Sequence, residues 1–248
     1  MDYFVPLPGT QAPSFTGSTL LLPQPSLSSL AQLACDLLVH NLRLELVGYL
    51  GVRDYVPAVG GRDGLPGEAE KEGLALGTEV YTTPSRSLTL VLPRSPVIRA
   101  RKEHHLQAIS AWVAAGGFKD VLVVAGTDAA MRGDDGLNAR RKGLTRSLLS
   151  ALAAHAPTSP AAALLIYTSE GAAVDAAHYL ASALVAVLGP QLEEVRGLVP
   201  LETQQLQLQV EGEEEEEEGA RRWKEPRSWE RGLMGPELGR DAGREMYG

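Results

Sequence analysis

The sequence predicts an α/β fold: a layered arrangement with a central, largely parallel sheet flanked by helices. Two observations predict it. Short apolar runs of strand length recur around Leu20, Leu46, Val121 and Leu164. Stretches with apolar residues at helical spacing separate them. The first strand, helix and strand fall within about thirty residues, the size of a βαβ unit, whose crossover is expected to be right-handed.

The N-terminal residues are rich in Pro, Gly and Ser and read as an extended arm laid on the domain. Leu20, Leu21 and Leu22 make a short buried strand, stopped by Pro23 and Pro25. Ser26 is placed to cap a helix from Leu27 to Leu42. Leu30, Leu33, Ala34, Leu37 and Leu38 form its apolar side, and Ser28, Gln32, Asp36 and His40 fall four apart as a polar stripe. Leu44–Leu50 is the next strand. Tyr55–Gly61 follows, and Arg62–Gly77, charged and glycine-rich without apolar period, reads as a surface loop.

Phe4-Val5-Pro6, Phe15–Pro23 and Pro25–Leu38 resemble the opening of the proteasome assembly chaperone 2 family. The family typically has Gly-Asn where this chain has Ser28-Ser29. The Val56-Pro57 step and the glycine-containing segment after it look similar to the family too.

Four later passages carry the same resemblance. Thr78–Leu92 reads as two strands around a Thr-Pro-Ser turn, with Glu79-Val80-Tyr81, Pro84-Ser85-Arg86 and Arg94-Ser95 matching the family. Arg86 and Arg94 are either solvated turn residues or basic contacts on a partner protein. His104–Ala115 is helical, with Leu106, Ile109, Trp112 and Val113 on one face. Gly116-Gly117 ends it, and Phe118–Gly126 is a buried strand. Leu144–His155 is a helix stopped by Pro157, and Ala162–Tyr167 is another buried strand. Tyr167–Gly171 resembles the family's strand-to-helix turn, with Ser169 capping a helix over Ala172–Leu188. Val195–Pro200 is open between strand and loop. The last match is Arg222–Trp229.

The glutamates of 211–218 repel one another and stay hydrated, so they are expected to be a disordered loop. Two tryptophans then argue for a return to the domain, since each ring can bury about 150–250 Å². The expected organisation is an α/β chaperone domain over 1–205, an acidic loop over 206–220, a docking segment over 221–238 and a flexible tail over 239–248.

Composition narrows the chemistry. The chain has 248 residues, 44% apolar content and a formal net charge of −8. The acidic balance argues against nucleic acid as partner. No apolar run is long enough for a membrane helix, and Met1–Phe4 lacks the basic region and apolar block of a secretory signal. Cys35 is the sole cysteine and sits among apolar helix residues, which suits an inert core thiol in a reducing compartment.

In a sheet of this class, catalytic motifs sit at the carboxyl ends of the strands. Neither G-x-G-x-x-G, G-x-x-x-x-G-K-[ST] nor G-x-S-x-G is present. Gly126-Thr127-Asp128 is a lone glycine turn, and Asp134-Asp135 sits in a polar glycine-containing stretch typical of solvated acids. Ser169 has no evident base. His104 and His105 are adjacent on a helix, where neighbours diverge by about 100°, so they make a poor metal pair. No catalytic residue, metal or cofactor is expected.

The chain ends in Met246-Tyr247-Gly248, a hydrophobic residue, a tyrosine and a final carboxylate. Several proteasome activators and assembly chaperones end this way. The resemblance implies a nucleoside-phosphorylase-like fold without enzymatic activity and pairing with assembly chaperone 1. It implies binding of proteasome α subunits, with Met246, Tyr247 and Gly248 entering a pocket of the α ring. Gln32, Asp36, Arg86 and Arg94 are the candidate contacts to partner or ring, and cytoplasm and nucleus the expected compartments. The competing readings are a nucleoside-processing enzyme of related fold and a generic α/β binding module.

Overall fold

A computed structural model describes residues 3–69, 73–128, 144–168, 173–189 and 223–230. Nine strands are present among them: β1 (Phe4–Pro6), β2 (Thr19–Pro23), β3 (Glu45–Leu50), β4 (Val59–Gly61), β5 (Leu74–Leu76), β6 (Thr78–Thr82), β7 (Leu88–Pro93), β8 (Asp120–Asp128) and β9 (Ala161–Thr168). The helices are α1 (Leu30–Asn41), α2 (Lys102–Gly116), α3 (Leu144–His155), α4 (Ala173–Leu188) and a single turn, α5 (Arg227–Glu230).

Seven strands form one mixed sheet in the order β1-β3-β6-β7-β2-β8-β9. β7, β2, β8 and β9 are parallel neighbours, whereas β1, β3, β6 and β7 pair antiparallel. Five strands therefore run one way, and only β1 and β6 oppose them. The expected layered α/β fold with a largely parallel sheet is present.

Strand β2 lies at the centre, and its side chains divide the core. Leu21 packs with α1, α4 and Val124, while Leu20 and Leu22 pack with α2, α3 and Val123. All three are buried, which explains an unbroken apolar run in a strand covered on both faces. α2 presents Leu106, Ile109 and Val113 to the second face, with Trp112 against its rim. It ends at Gly117, whose φ of 66° is the left-handed conformation that glycine adopts cheaply.

Three expectations need correction and one needs completing. The first helix begins at Leu30, not Leu27. Leu27–Ser29 is a 3-10 turn in which Ser28 and Ser29 have φ of 53° and 52°. Ser26 gives its carbonyl to Ser29 N but does not cap α1. The apolar period extends to the helix start, but left-handed backbone breaks the helix there.

The second point completes the expected strand–helix–strand unit, which is present with parallel strands. β2 and β3 run in the same direction but are separated by β7 and β6. β3 is instead flanked by the arm, as β1, and by β6. Local pattern identifies a strand without naming its neighbours. A Cβ at Gly48 would strike the Val5 carbonyl and the Phe4 ring, so glycine permits the arm's close approach.

Third, the stretch read as a loop from Arg62 contains β5, which pairs antiparallel with β4, Gly60 opposite Ala75. Both strands are three residues long, too short for a period to register. Fourth, β9 is not buried on both sides: among the described residues it is the last strand of the sheet, and Ala161–Ala163 and Leu165 are exposed. Its composition resembles that of a central strand because one face, through Leu164 and Ile166, still packs on the α1–α4 core. Ser169 and Val195–Pro200, like the acidic run, lie outside the described residues.

Candidate functional site

Beyond α1 no helix covers β3 and β6 on that face among the described residues, and a groove of about 840 Å³ opens there. Leu46 and Tyr81 line it from the sheet, and Asp36, Val39 and His40 from α1. The β4–β5 hairpin and the start of α5 wall it. Period 3.6 along α1 sets Asp36 one turn before His40, and period 2 along β6 sets Glu79 and Tyr81 on one face.

At the groove's inner wall lies a charged cluster. Arg94, just after β7, donates through Nε to Glu79 Oε2 at 2.9 Å. Its Nη2 stands 3.1 Å from Asp36 Oδ1, and Nη1 donates to Oδ2 at 3.4 Å. Tyr81 donates its hydroxyl to the same Glu79 oxygen at 2.9 Å. The Glu79 side chain is fully buried, and Arg94 remains 28% exposed. One guanidinium thus links the first helix to two strands, and keeps an edge toward the groove.

The electrostatics follow from this crowding. Burial raises the Asp36 carboxyl above the usual range, while Arg94 and His40 oppose that shift. Burial would make the Arg94 charge harder to hold, but Asp36 and Glu79 outweigh it and keep the guanidinium protonated. Burial, then the Glu79 charge, raises the Tyr81 hydroxyl, so it stays a donor. Cys35, one residue before Asp36 on α1, is fully buried, with its thiol pushed up by burial.

The segment 223–230 is a strap across α1, α4 and the loop before β5. Asn41 pairs with the Lys224 backbone in both directions, its amide donating to the carbonyl at 2.9 Å and its oxygen accepting from the N–H at 3.0 Å. Trp223 donates its indole N–H to Ser182 Oγ at 2.9 Å. His178 stacks on Trp229 and contacts Glu225 at 3.0 Å. Ser228 reaches Asp63 through both its backbone N–H and its hydroxyl. Both tryptophans are 7% exposed.

A family model described as the PAC2 family matches residues 20–219. The chain belongs to the PAC2 family. Curated relatives named proteasome assembly chaperone 2 include the human protein, 33% identical over 131 residues, covering 53% of this chain and 49% of that one. The Xenopus laevis protein is 34% identical, with 53% and 50% covered. This PAC2-family chain thus spans about half the length of the curated relatives it matches.

Among solved structures, a Thermoplasma acidophilum protein of unknown function superposes with a TM-score of 0.55 at 13% identity, covering 79% of this chain and 91% of that one. PbaA of Pyrococcus furiosus, described as an archaeal homologue of proteasome-assembly chaperone, superposes at 0.52 with 15% identity, covering 79% and 92%. At those identities the likeness is one of fold.

Within this PAC2-family chain, Asp36 and Arg94 come together, and Gln32 lies one turn away on α1. Gln32 Oε1 is buried and has no hydrogen-bond partner among the described residues. Arg86 is at the opposite end of β7, in the exposed β6–β7 turn with φ of 59°. Met246, Tyr247 and Gly248 lie outside the described residues. Glu79 was not singled out by sequence; a carboxylate inside a β-rich run, two residues from a tyrosine, was its signal. Asn41 and Ser182 left none, because they read as ordinary helix polars. His104 and His105 go to separate structural partners, Asp54 and Tyr3.

Proposed function

We propose that this PAC2-family chain is a non-enzymatic proteasome assembly chaperone. It pairs with assembly chaperone 1, binds the forming α-subunit ring of the core particle, promotes ring assembly and prevents premature association. Membership of the PAC2 family across residues 20–219 carries the reading. The relatives' own name, proteasome assembly chaperone 2, supports it. In this reading Met246, Tyr247 and Gly248 enter an α-ring pocket, and the face bearing Gln32, Asp36 and Arg94 contributes a body contact. Cytoplasm and nucleus are its compartments.

The test is affinity capture of the full chain from cells, followed by mass spectrometry. Chaperone 1 and α subunits should be recovered together, without mature β subunits. Recovery of neither chaperone 1 nor α subunits would overturn the proposal.

A further inference from the structure

Seven of the chain's 31 acidic residues lie in 211–218. They carry nearly all of its formal charge of −8, so the rest of the chain is close to neutral. A local excess of cations there is not outweighed by a general acidity, and one such excess lies where β3 ends and α2 begins.

The loop after β3 and the turn before α2 run side by side. Tyr55 and Val97 form an antiparallel bridge. Ile98 N–H donates to the Asp54 carbonyl at 2.7 Å, and Val56 N–H to the Pro96 carbonyl at 3.0 Å. This pairing brings Arg53 to the same surface as Arg99, Arg101 and Lys102. Across 51–56 and 96–104 these four cations meet two acids, Asp54 and Glu103. Asp54 is already engaged: its carboxylate is buried, accepts from Arg101 Nε at 2.7 Å and meets His104 Nδ1 at 2.9 Å. Arg101 still has 40% of its side chain exposed. Arg53 and Arg99 are exposed and Lys102 is half-buried. None of these three has an ion pair among the described residues.

Cations gathered without counter-charges repel one another, a cost that an incoming anion removes. The same loop shows what else the anion carries. Val52 and Val56 are 54% and 43% exposed and stand on either side of Arg53–Tyr55. A phosphate backbone has nothing to cover them with, whereas aliphatic side chains on a peptide do.

We infer that the surface of Arg53, Arg99, Arg101 and Lys102, with Val52 and Val56 beside it, binds an acidic segment of a partner protein. The segment carries carboxylates for the guanidinium groups and aliphatic side chains for the valines. Guanidinium forks match carboxylates in pairs of hydrogen bonds, and Asp54 holds one fork in place beforehand. This binding does not depend on the chaperone role proposed above.

The experiment titrates the full chain against a fluorescent peptide of glutamates interspersed with leucines, read by anisotropy. Binding should weaken as salt rises, and should fall by about tenfold or more in Arg53→Gln/Arg99→Gln through the loss of two charge-assisted contacts. The same peptide with glutamine in place of glutamate should not bind. Neither arginine has an ion pair to lose among the described residues, so the double variant should melt no lower than the wild type. Val52→Ser with Val56→Ser should also weaken binding while leaving its salt dependence unchanged.

Wild-type affinity in the arginine double variant overturns the inference. So does equal binding of a single-stranded oligonucleotide of matching charge, with no effect of the valine changes, which makes this a nucleic-acid surface. Probe binding that appears only after the glutamates of 213–218 are changed to glutamine assigns the surface to the chain's own acids, and overturns it too. Failure of the probe to bind with or without those glutamates overturns it outright.

Discussion

Ser28 and Ser29 hold left-handed backbone that costs a side-chain-bearing residue on the order of 1 kcal/mol each. Their positions are those where the sequence departs from the family's Gly-Asn, so the departure has a physical meaning: serine is strained where glycine is at ease. Ser28→Gly should stabilise the chain by roughly 0.5 kcal/mol, after the entropy glycine gains when unfolded, measured as a raised denaturation midpoint. Arg94 makes the opposite case. Arg94→Leu leaves Glu79 and Asp36 buried without their counter-charge and should cost about 3–5 kcal/mol in a urea titration. Arg94→Leu combined with Glu79→Gln should recover part of that loss. His105 supplies a pH dependence. Burial, against the pull of Asp54, lowers its pKa from 6.5 to about 4, and its Nδ1 lies 2.7 Å from the Tyr3 hydroxyl. A depressed histidine contributes stability above pH 6.5 that is lost as pH falls from there toward 4. By pH 5 the loss should be on the order of 1–2 kcal/mol, and His105→Gln should flatten the acid limb of a stability–pH curve.

At the scale of elements, the strap is the most exposed to test. Trp229 packs in the α1–α4 core although its segment returns from more than thirty residues away in sequence. Trp229→Ala should cost about 3–5 kcal/mol, read by thermal or chemical denaturation. A loss near zero would make the segment a loose attachment. The elements legible in sequence were those whose own period declares them: β2 and β8 as apolar runs, α2 by Leu106, Ile109 and Val113, and α3 to its last residue. β4 and β5 were not, because three residues give no period and their stability comes from each other. β9 was legible as a strand but not as the last strand of the described sheet, since alanine and leucine do not say which face a neighbour will cover. The Asp36–Arg94–Glu79 cluster was two-thirds visible, as candidate contacts. Their mutual pairing depends on β7 lying between β6 and β2, which no local pattern encodes.

For the whole molecule, the proposed role places two demands on one chain: a body that pairs and a tail that reaches. Met246, Tyr247 and Gly248 are too few to bind tightly by themselves, since ordering them costs entropy. In the proposed role they would act as a second foothold at a concentration set by the docked body. Deleting Tyr247 and Gly248 should weaken α-ring binding by about tenfold or more while leaving pairing with chaperone 1 unchanged, measured by titration against purified α rings. Adding one residue after Gly248 should weaken it as well, because the carboxylate is displaced. Ring affinity that survives both changes would assign the interaction to the body alone.

The strap also makes the chain a two-piece assembly held in one by its connection. Trp223–Glu230 grips α1, α4 and the loop at Asp63 through its own contacts, and some thirty residues separate it from the end of α4. While that connection is intact, the strap meets its site as part of the same chain, at an effective concentration that does not depend on the amount of protein. A single proteolytic cut within it would turn docking into a second-order encounter at the far lower concentration of the protein itself. The released piece would carry the last eighteen residues away with it. Peptide-bond integrity through the glutamate run is therefore what keeps a C-terminal foothold attached to the body that aims it.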